Sequence, residues 1–324
     1  MKACSPLSRR AFAGLMLAAP AVARAQAQPA WPTRPVRLVN TGGPGSGIDL
    51  IARLLSEGLA SRLGQPFPVE NKPGADGILA GEAHAQARPG ESLLLCGTGL
   101  ASVVPLLRPT MPFAAEALAP VATTGREFMV LVVPGNQPVR EVPALLAQAR
   151  AQPGHLAWFA VSGLPDLAFR LFLRDQGLEM TYVAYRASPP AALDLAAGRI
   201  QAALLPLTPV KALLQNGRLR ALAVASRRRA PDLPEVPTTA EAGCPGLLAE
   251  SVIGLFGWPG LAPAGRQALA AATGAVLAEP ASANRLLAAG ILPAPDGPAA
   301  LAEVVASQQA QARAAIAAVG LPAG

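Results

Sequence analysis

The stretch Pro35-Val36-Arg37-Leu38-Val39-Asn40-Thr41-Gly42-Gly43-Pro44-Gly45-Ser46-Gly47-Ile48-Asp49-Leu50-Ile51-Ala52-Arg53 decides the fold. Residues 36–39 form a short apolar strand opened by a proline. Residues 41–47 are a loop rich in glycine, the residue that lets a chain turn sharply. After it, Ile48, Ile51, Ala52, Leu55, Leu59 and Leu63 recur at helical spacing, and Gly64 stops the helix. Strand, glycine loop and helix together are the repeating unit of a parallel α/β sheet.

The alternation continues downstream. Strands are expected at 67–70, 92–96, 128–133, 156–161, 181–185, 199–205, 219–225 and 252–257. Helices fall near 77–87, 141–150, 166–174, 191–197 and 209–215, and from 263 onward. This order argues for parallel sheets with helices on both faces. Such folds bind ligands at the carboxyl ends of strands, where glycine loops lead into helices. A second such loop, Asn71-Lys72-Pro73-Gly74-Ala75-Asp76-Gly77, follows the second strand.

Composition narrows the function classes. The chain has 324 residues, 52% hydrophobic and 15% charged, which excludes a disordered chain, a collagen and a coiled coil. Its net charge of +7 comes largely from one end: four of the 27 basic residues and none of the 20 acidic ones lie in residues 1–25. The remainder carries 23 basic against 20 acidic residues, a net +3. That balance gives no footprint for nucleic acid. Arg227-Arg228-Arg229 reads as a solvated turn after a strand. Cys96 and Cys244 read as independent thiols.

The N-terminus reads as a cleaved export signal, residues 1–25. Positive charge precedes the apolar run 11–23, which is too short to span a bilayer. Cleavage fits after Ala23-Arg24-Ala25 or after Ala25-Gln26-Ala27. Arg9 and Arg10 within Ser8-Arg9-Arg10-Ala11-Phe12 favour the twin-arginine route over the ordinary secretory one. The expected location is the periplasm.

Enzyme signatures fail. Residues 43–48 lack the third glycine of a dinucleotide fingerprint, and no Gly-Lys-Ser/Thr marks a P-loop. Ser46 lacks the flanking glycines of a nucleophile elbow. The two histidines, His84 and His155, have no metal-ligand spacing and read as surface or packed residues. No catalytic residue, cofactor or metal is expected, and the chain is not read as an enzyme.

The loops do suit a small anion. A helix N-terminus offers free N–H groups, glycines allow close backbone approach, and Thr41 and Ser46 add hydroxyls. Gly42, Gly45 and Gly47 belong to this first loop; Gly74, Ala75 and Asp76 form the facing one, and Thr98 ends the third strand at the same rim. A plain βα turn without ligand accounts for the same glycines. Asp49 reads as a structural cap, with ligand contact as the alternative.

The ordered blocks Trp31-Pro32-x-Arg34-Pro35-Val36-Arg37-Leu38-Val39, Asp49-x-x-Ala52-Arg53, Leu63-Gly64-Gln65-Pro66 and Val69-Glu70-Asn71-Lys72-Pro73-Gly74-Ala75-x-Gly77 resemble the Bug-type solute-binding proteins of tripartite tricarboxylate transporters. Val183-x-Tyr185, Asp194-Leu195-x-x-Gly198, residues 217–224 and Leu233-Pro234-x-Val236-Pro237-Thr238-x-x-Glu241-Ala242-Gly243 extend the resemblance over nearly the whole chain. It implies an α/β, two-lobed Venus-flytrap fold, type II-like, with a mixed, mainly parallel sheet in each lobe. Lobe one would be residues 29–131 plus 252–324, and lobe two residues 132–251. The implied partners are a small molecule, typically a carboxylate, and an inner-membrane permease; a periplasmic sensor or adaptor for a signalling partner is the first alternative, and an enzyme on a similar α/β scaffold the second.

The resemblance also implies contacts from the start of a helix in lobe two, here Ser162, Gly163 and Asp166, and from Tyr185. The chain departs from the family pattern at three places. Thr41-Gly42-Gly43 replaces Pro-Phe-Pro, Arg186-Ala187 replaces Lys-Gly, and Asp166 falls near a usual histidine. Asp166 reads either as a helix-start carboxylate or as a cleft residue that repels a second ligand carboxylate.

Overall fold

The computed structural model describes Met1, residues 31–108 and residues 110–319. The expected signal, with Arg9 and Arg10, lies outside the described residues. The elements in chain order are β1 (Arg37–Asn40), α1 (Gly47–Leu63), β2 (Val69–Asn71), α2 (Ile78–Ala85), β3 (Ser92–Gly97), α3 (Gly99–Ser102), α4 (Val104–Leu107) and β4 (Ala119–Pro134). There follow α5 (Val142–Ala151), β5 (Ala157–Ala160), α6 (Leu164–Asp175), β6 (Thr181–Tyr182), α7 (Ser188–Ala196), β7 (Ala202–Pro206), α8 (Leu207–Gln215) and β8 (Leu219–Val224). The chain ends with β9 (Glu250–Gly257), α9 (Pro263–Leu277), α10 (Pro280–Ala288), β10 (Ile291–Pro293) and α11 (Pro298–Val319).

The strands run in the order β2-β1-β3-β9-β4-β7-β5-β6, with β8 and β10 also on β4. β1 pairs in parallel with β2 and β3, and β5 with β6 and β7. β9 and β4 run antiparallel through the middle. β4 pairs with β9 from Ala119 to Phe128, then with β7 from Met129. That change of partner divides the molecule into two half-sheets.

Each half-sheet carries helices on both faces, and the period-2 alternation of its strands says why. Met129, Leu131 and Val133 join one core with α5 and α6, while Val130 and Val132 join another with α7 and α8. In the other half Leu38, Leu93 and Leu95 pack on α1, and Val39, Leu94 and Cys96 pack beneath α2 and α11. Burying each such leucine is worth roughly 1.5–3 kcal/mol.

The spacing predicted a strand at 128–133, which is only the second part of the 16-residue β4. Its first part reads Ala-Pro-Val-Ala-Thr-Thr-Gly-Arg-Glu, weak in β-formers, and is held extended by β9 on one side and β10 on the other. His84 is a packed residue: its ring meets Ser92 Oγ at 2.8 Å and the Gly257 carbonyl at 3.0 Å, and burial lowers its proton affinity. Cys96 and Cys244 are buried and unbonded to each other. Among the described residues no helix is long and apolar enough to cross a membrane, and no group of side chains could hold a metal ion.

Candidate functional site

A cleft of about 970 Å³, open mouth included, lies where the two half-sheets meet. Four loops wall it. The first is the β1–α1 loop. Ser46 is the helix N-cap: its Oγ accepts the Asp49 N–H at 3.2 Å. Asp49 reciprocates from inside the helix, accepting from the Gly45 N–H at 3.1 Å, Arg53 Nε at 3.0 Å and Asn71 Nδ2 at 2.9 Å. Asn71, at the end of β2, also donates to the Gly42 carbonyl at 2.8 Å and so ties the loop down. No acceptor among the described residues takes the N–H groups of Gly47 and Ile48, the first two of α1. Both residues line the cleft.

The second loop follows β2. Gly74 sits at φ 111°, and Ala75 and Asp76 are both left-handed, at φ 46° and 57°, which is strained for side-chain-bearing residues. The conformation turns Asp76 toward the cleft, where Arg108 Nη2 pairs with it at 2.5 Å and Ser162 Oγ donates to it from the opposite half. The third loop joins β5 to α6, and the fourth joins β6 to α7. Gly163 approaches Gly99 so closely that a Cβ on Gly99 would stand 3.0 Å from the Gly163 Cα. The two halves therefore touch at the rim.

Of the sequence-expected residues, Thr41, Gly42, Ser46, Gly47, Gly74, Asp76, Ser162 and Tyr185 line this cleft. The other five do not. Gly45 takes the left-handed turn of the first loop at φ 80°, and Ala75 a left-handed turn of the second at φ 46°. Gly163 meets Gly99. Thr98 is buried, its hydroxyl donating to the Val252 carbonyl. Asp166 accepts from Arg170 Nε at 2.8 Å, and that guanidinium lies over the rings of Tyr182 and Trp158. Burial holds the Asp166 carboxyl above its ordinary value, although Arg170 pulls the other way. Tyr185 donates its hydroxyl to Asp194 at 2.8 Å; burial and that carboxylate push it up to about 12.

Sequence reasoning missed Glu127, Phe159, Tyr182, Arg186 and Ser251, which line the cleft as well. Arg186 is exposed and makes no ion pair among the described residues. Its signals were its place one residue after Tyr185 and its departure, with Ala187, from the family's Lys-Gly. Glu127 was a lone carboxylate at the edge of an apolar strand, a pattern with no signal of its own. With Asp76 neutralised by Arg108, the unpaired cation and the free N–H groups of α1 make the cleft suited to an anion.

The model of the tripartite tricarboxylate transporter family receptor matches residues 51–321. The chain belongs to that family. BugT of Bordetella pertussis (strain Tohama I) is 34% identical over 245 residues, 74% of this chain and 75% of that protein. An adipate-bound protein of R. palustris superposes with a TM-score of 0.84 at 29% identity, covering 90% of this chain and 98% of that one. MatC of Rhodopseudomonas palustris, with bound malate, gives 0.82 at 26% identity over 88% and 99%. The chain is thus a receptor-family solute-binding protein with the expected α/β fold of periplasmic binding proteins.

Proposed function

We propose that this receptor is exported to the periplasm, captures a small carboxylate between two lobes, and hands it to a membrane permease. It performs binding and release, with no chemical step. The observation that carries the reading is the pair of unsatisfied N–H groups of Gly47 and Ile48, facing a cleft that also holds the unpaired Arg186. A carboxylate at a helix N-terminus replaces water on groups that must otherwise be solvated. Thr41, Gly42 and Ser46 would frame that carboxylate. Gly74, Asp76, Ser162 and Tyr185 would close over the rest of the ligand.

The change of strand partner after Phe128, a few residues before the expected border at 131/132, supports two lobes joined along β4, with β9 as the return crossing. Ligand bridging both lobes would favour the closed arrangement, because only that arrangement satisfies contacts from both sides. Bound adipate and malate in two relatives support a dicarboxylate here. Asp166, held by Arg170, gives no reason to exclude a second carboxylate. Calorimetry with malate, adipate, citrate, aromatic monocarboxylates and amino acids tests this. At least one carboxylate should bind near micromolar affinity, about −8 kcal/mol. Failure of every one of these carboxylates to bind would sink the proposal.

A further inference from the structure

Glu127 is a group that carboxylate capture does not by itself call for. It stands on β4 just before the change of partner, opposite Ser251 of β9 and Ile291 of β10. It is 7% exposed and lines the cleft, yet its Oε1 has no hydrogen-bond partner among the described residues. A Cβ on Gly47 would stand 2.2 Å from that oxygen and 3.1 Å from Thr208 Oγ1. The carboxyl therefore occupies the space left by the missing side chain, against the same helix N-terminus whose N–H groups are free. Two carboxylates crowded into one poorly solvated place repel, and one of them takes up a proton.

We infer that Glu127 contacts the ligand's carboxylate as a neutral acid, donating its Oε–H to it, so that wherever Glu127 starts out ionised each ligand enters together with one proton. This rests on the carboxylate reading of the site. The proton comes from solvent and returns to it on release; no covalent bond changes.

No charged group around Glu127 pairs with it among the described residues. Asp49 of α1 is bound to Gly45, Arg53 and Asn71, and Lys211 of α8 pairs with Asp232. Arg126, Arg228 and Glu250 border a smaller second pocket that Glu127 also lines, and none of the three forms an ion pair with it among the described residues. Asp76, paired with Arg108, and Arg186 are the other charged residues lining the cleft. Burial pushes the Glu127 carboxyl up to about 7, while the hydroxyls of Thr208 and Ser251 pull the other way. The acid form is already present below that value and must be made at a cost above it. Affinity should therefore be level at lower pH and lost as the pH rises through about 7.

The test is calorimetry of malate, adipate and citrate from about pH 5.5 to 8.5, in two buffers of different ionisation enthalpy. For the tightest of the three, Kd should be level on the acid side and rise about tenfold per pH unit above neutrality, with a buffer-dependent heat reporting proton uptake. Glu127→Gln, which carries a donor at every pH, should flatten the profile. A level wild-type profile without buffer-dependent heat overturns the inference and leaves carboxylate capture standing. A slope that persists in the variant overturns the assignment to Glu127. Failure of all three ligands to bind at any pH overturns the inference together with dicarboxylate capture.

Discussion

Asp49 and Asp166 are both acidic residues in the first turn of a helix, yet they do different work. Asp49 is 4% exposed and spends its carboxylate on the loop that precedes it, through Gly45, and on Arg53 and Asn71. Asp166 faces its own helix and pairs with Arg170. Replacing Asp49 with alanine removes hydrogen bonds to a charged group and leaves the Gly45 N–H without its acceptor, so it should cost roughly 1–3 kcal/mol of stability. Burial raises the Asp49 carboxyl, but Arg53, Asn71 and Gly45 together bring it below its ordinary 3.8. A carboxyl lowered by folding stabilises above its ordinary value and loses that contribution as the pH falls through the folded one. The melting-temperature gap between wild type and Asp49→Ala should therefore be full at neutral pH and shrink in acid. A gap that is absent at neutral pH, with binding lost, would make Asp49 a ligand residue and not a structural one.

At the scale of elements, the short helix α3 and helix α6 start nose to nose. Gly99 opens one and Gly163 caps the other, and their backbones meet across the cleft. Gly163 sits at φ 99°, so any side chain there is strained by conformation alone. Gly99 has no such constraint, which makes Gly99→Ala the cleaner probe. Its Cβ would stand 3.0 Å from the Gly163 Cα, and backbone there has little room to give. Holding the two halves apart at this point should weaken ligand affinity about tenfold, or ~1.4 kcal/mol. The ligand-free melting temperature should stay unchanged. Calorimetry and a thermal melt on the same preparation read both; unaltered affinity would show that the rim contact plays no part in capture.

At the scale of the whole molecule, delivery and folding meet. The two half-sheets share β4 and β9, so neither half is complete until residues more than a hundred positions apart have paired. Such non-local pairing is slow to form. An export route that carries folded protein would suit a chain built this way, and Arg9 with Arg10 is the motif expected to select it. Replacing both arginines with lysine should leave precursor in the cytoplasm, read by fractionation and immunoblot. Normal periplasmic accumulation of that variant would remove the twin-arginine assignment.

The sequence by itself determined the local grammar of this protein. Gly64 and the apolar repeat bounded α1, the apolar run Leu93-Leu94-Leu95 marked a strand, and the two glycine loops marked where strands end at the cleft. These are short-range facts, set by φ/ψ freedom and by the period of the side chains. Only the tertiary structure decided what lies opposite what. The first part of β4, poor in β-formers, is a strand because β9 and β10 pair with it. Thr98 left the cleft because Val252 took its hydroxyl, and Asp166 because Arg170 took its carboxylate. Glu127 entered because Gly47, 80 positions away in sequence, has no side chain to keep it out. Burial and partner choice depend on distance in space, and a single chain read in order carries no measure of that distance between residues far apart along it.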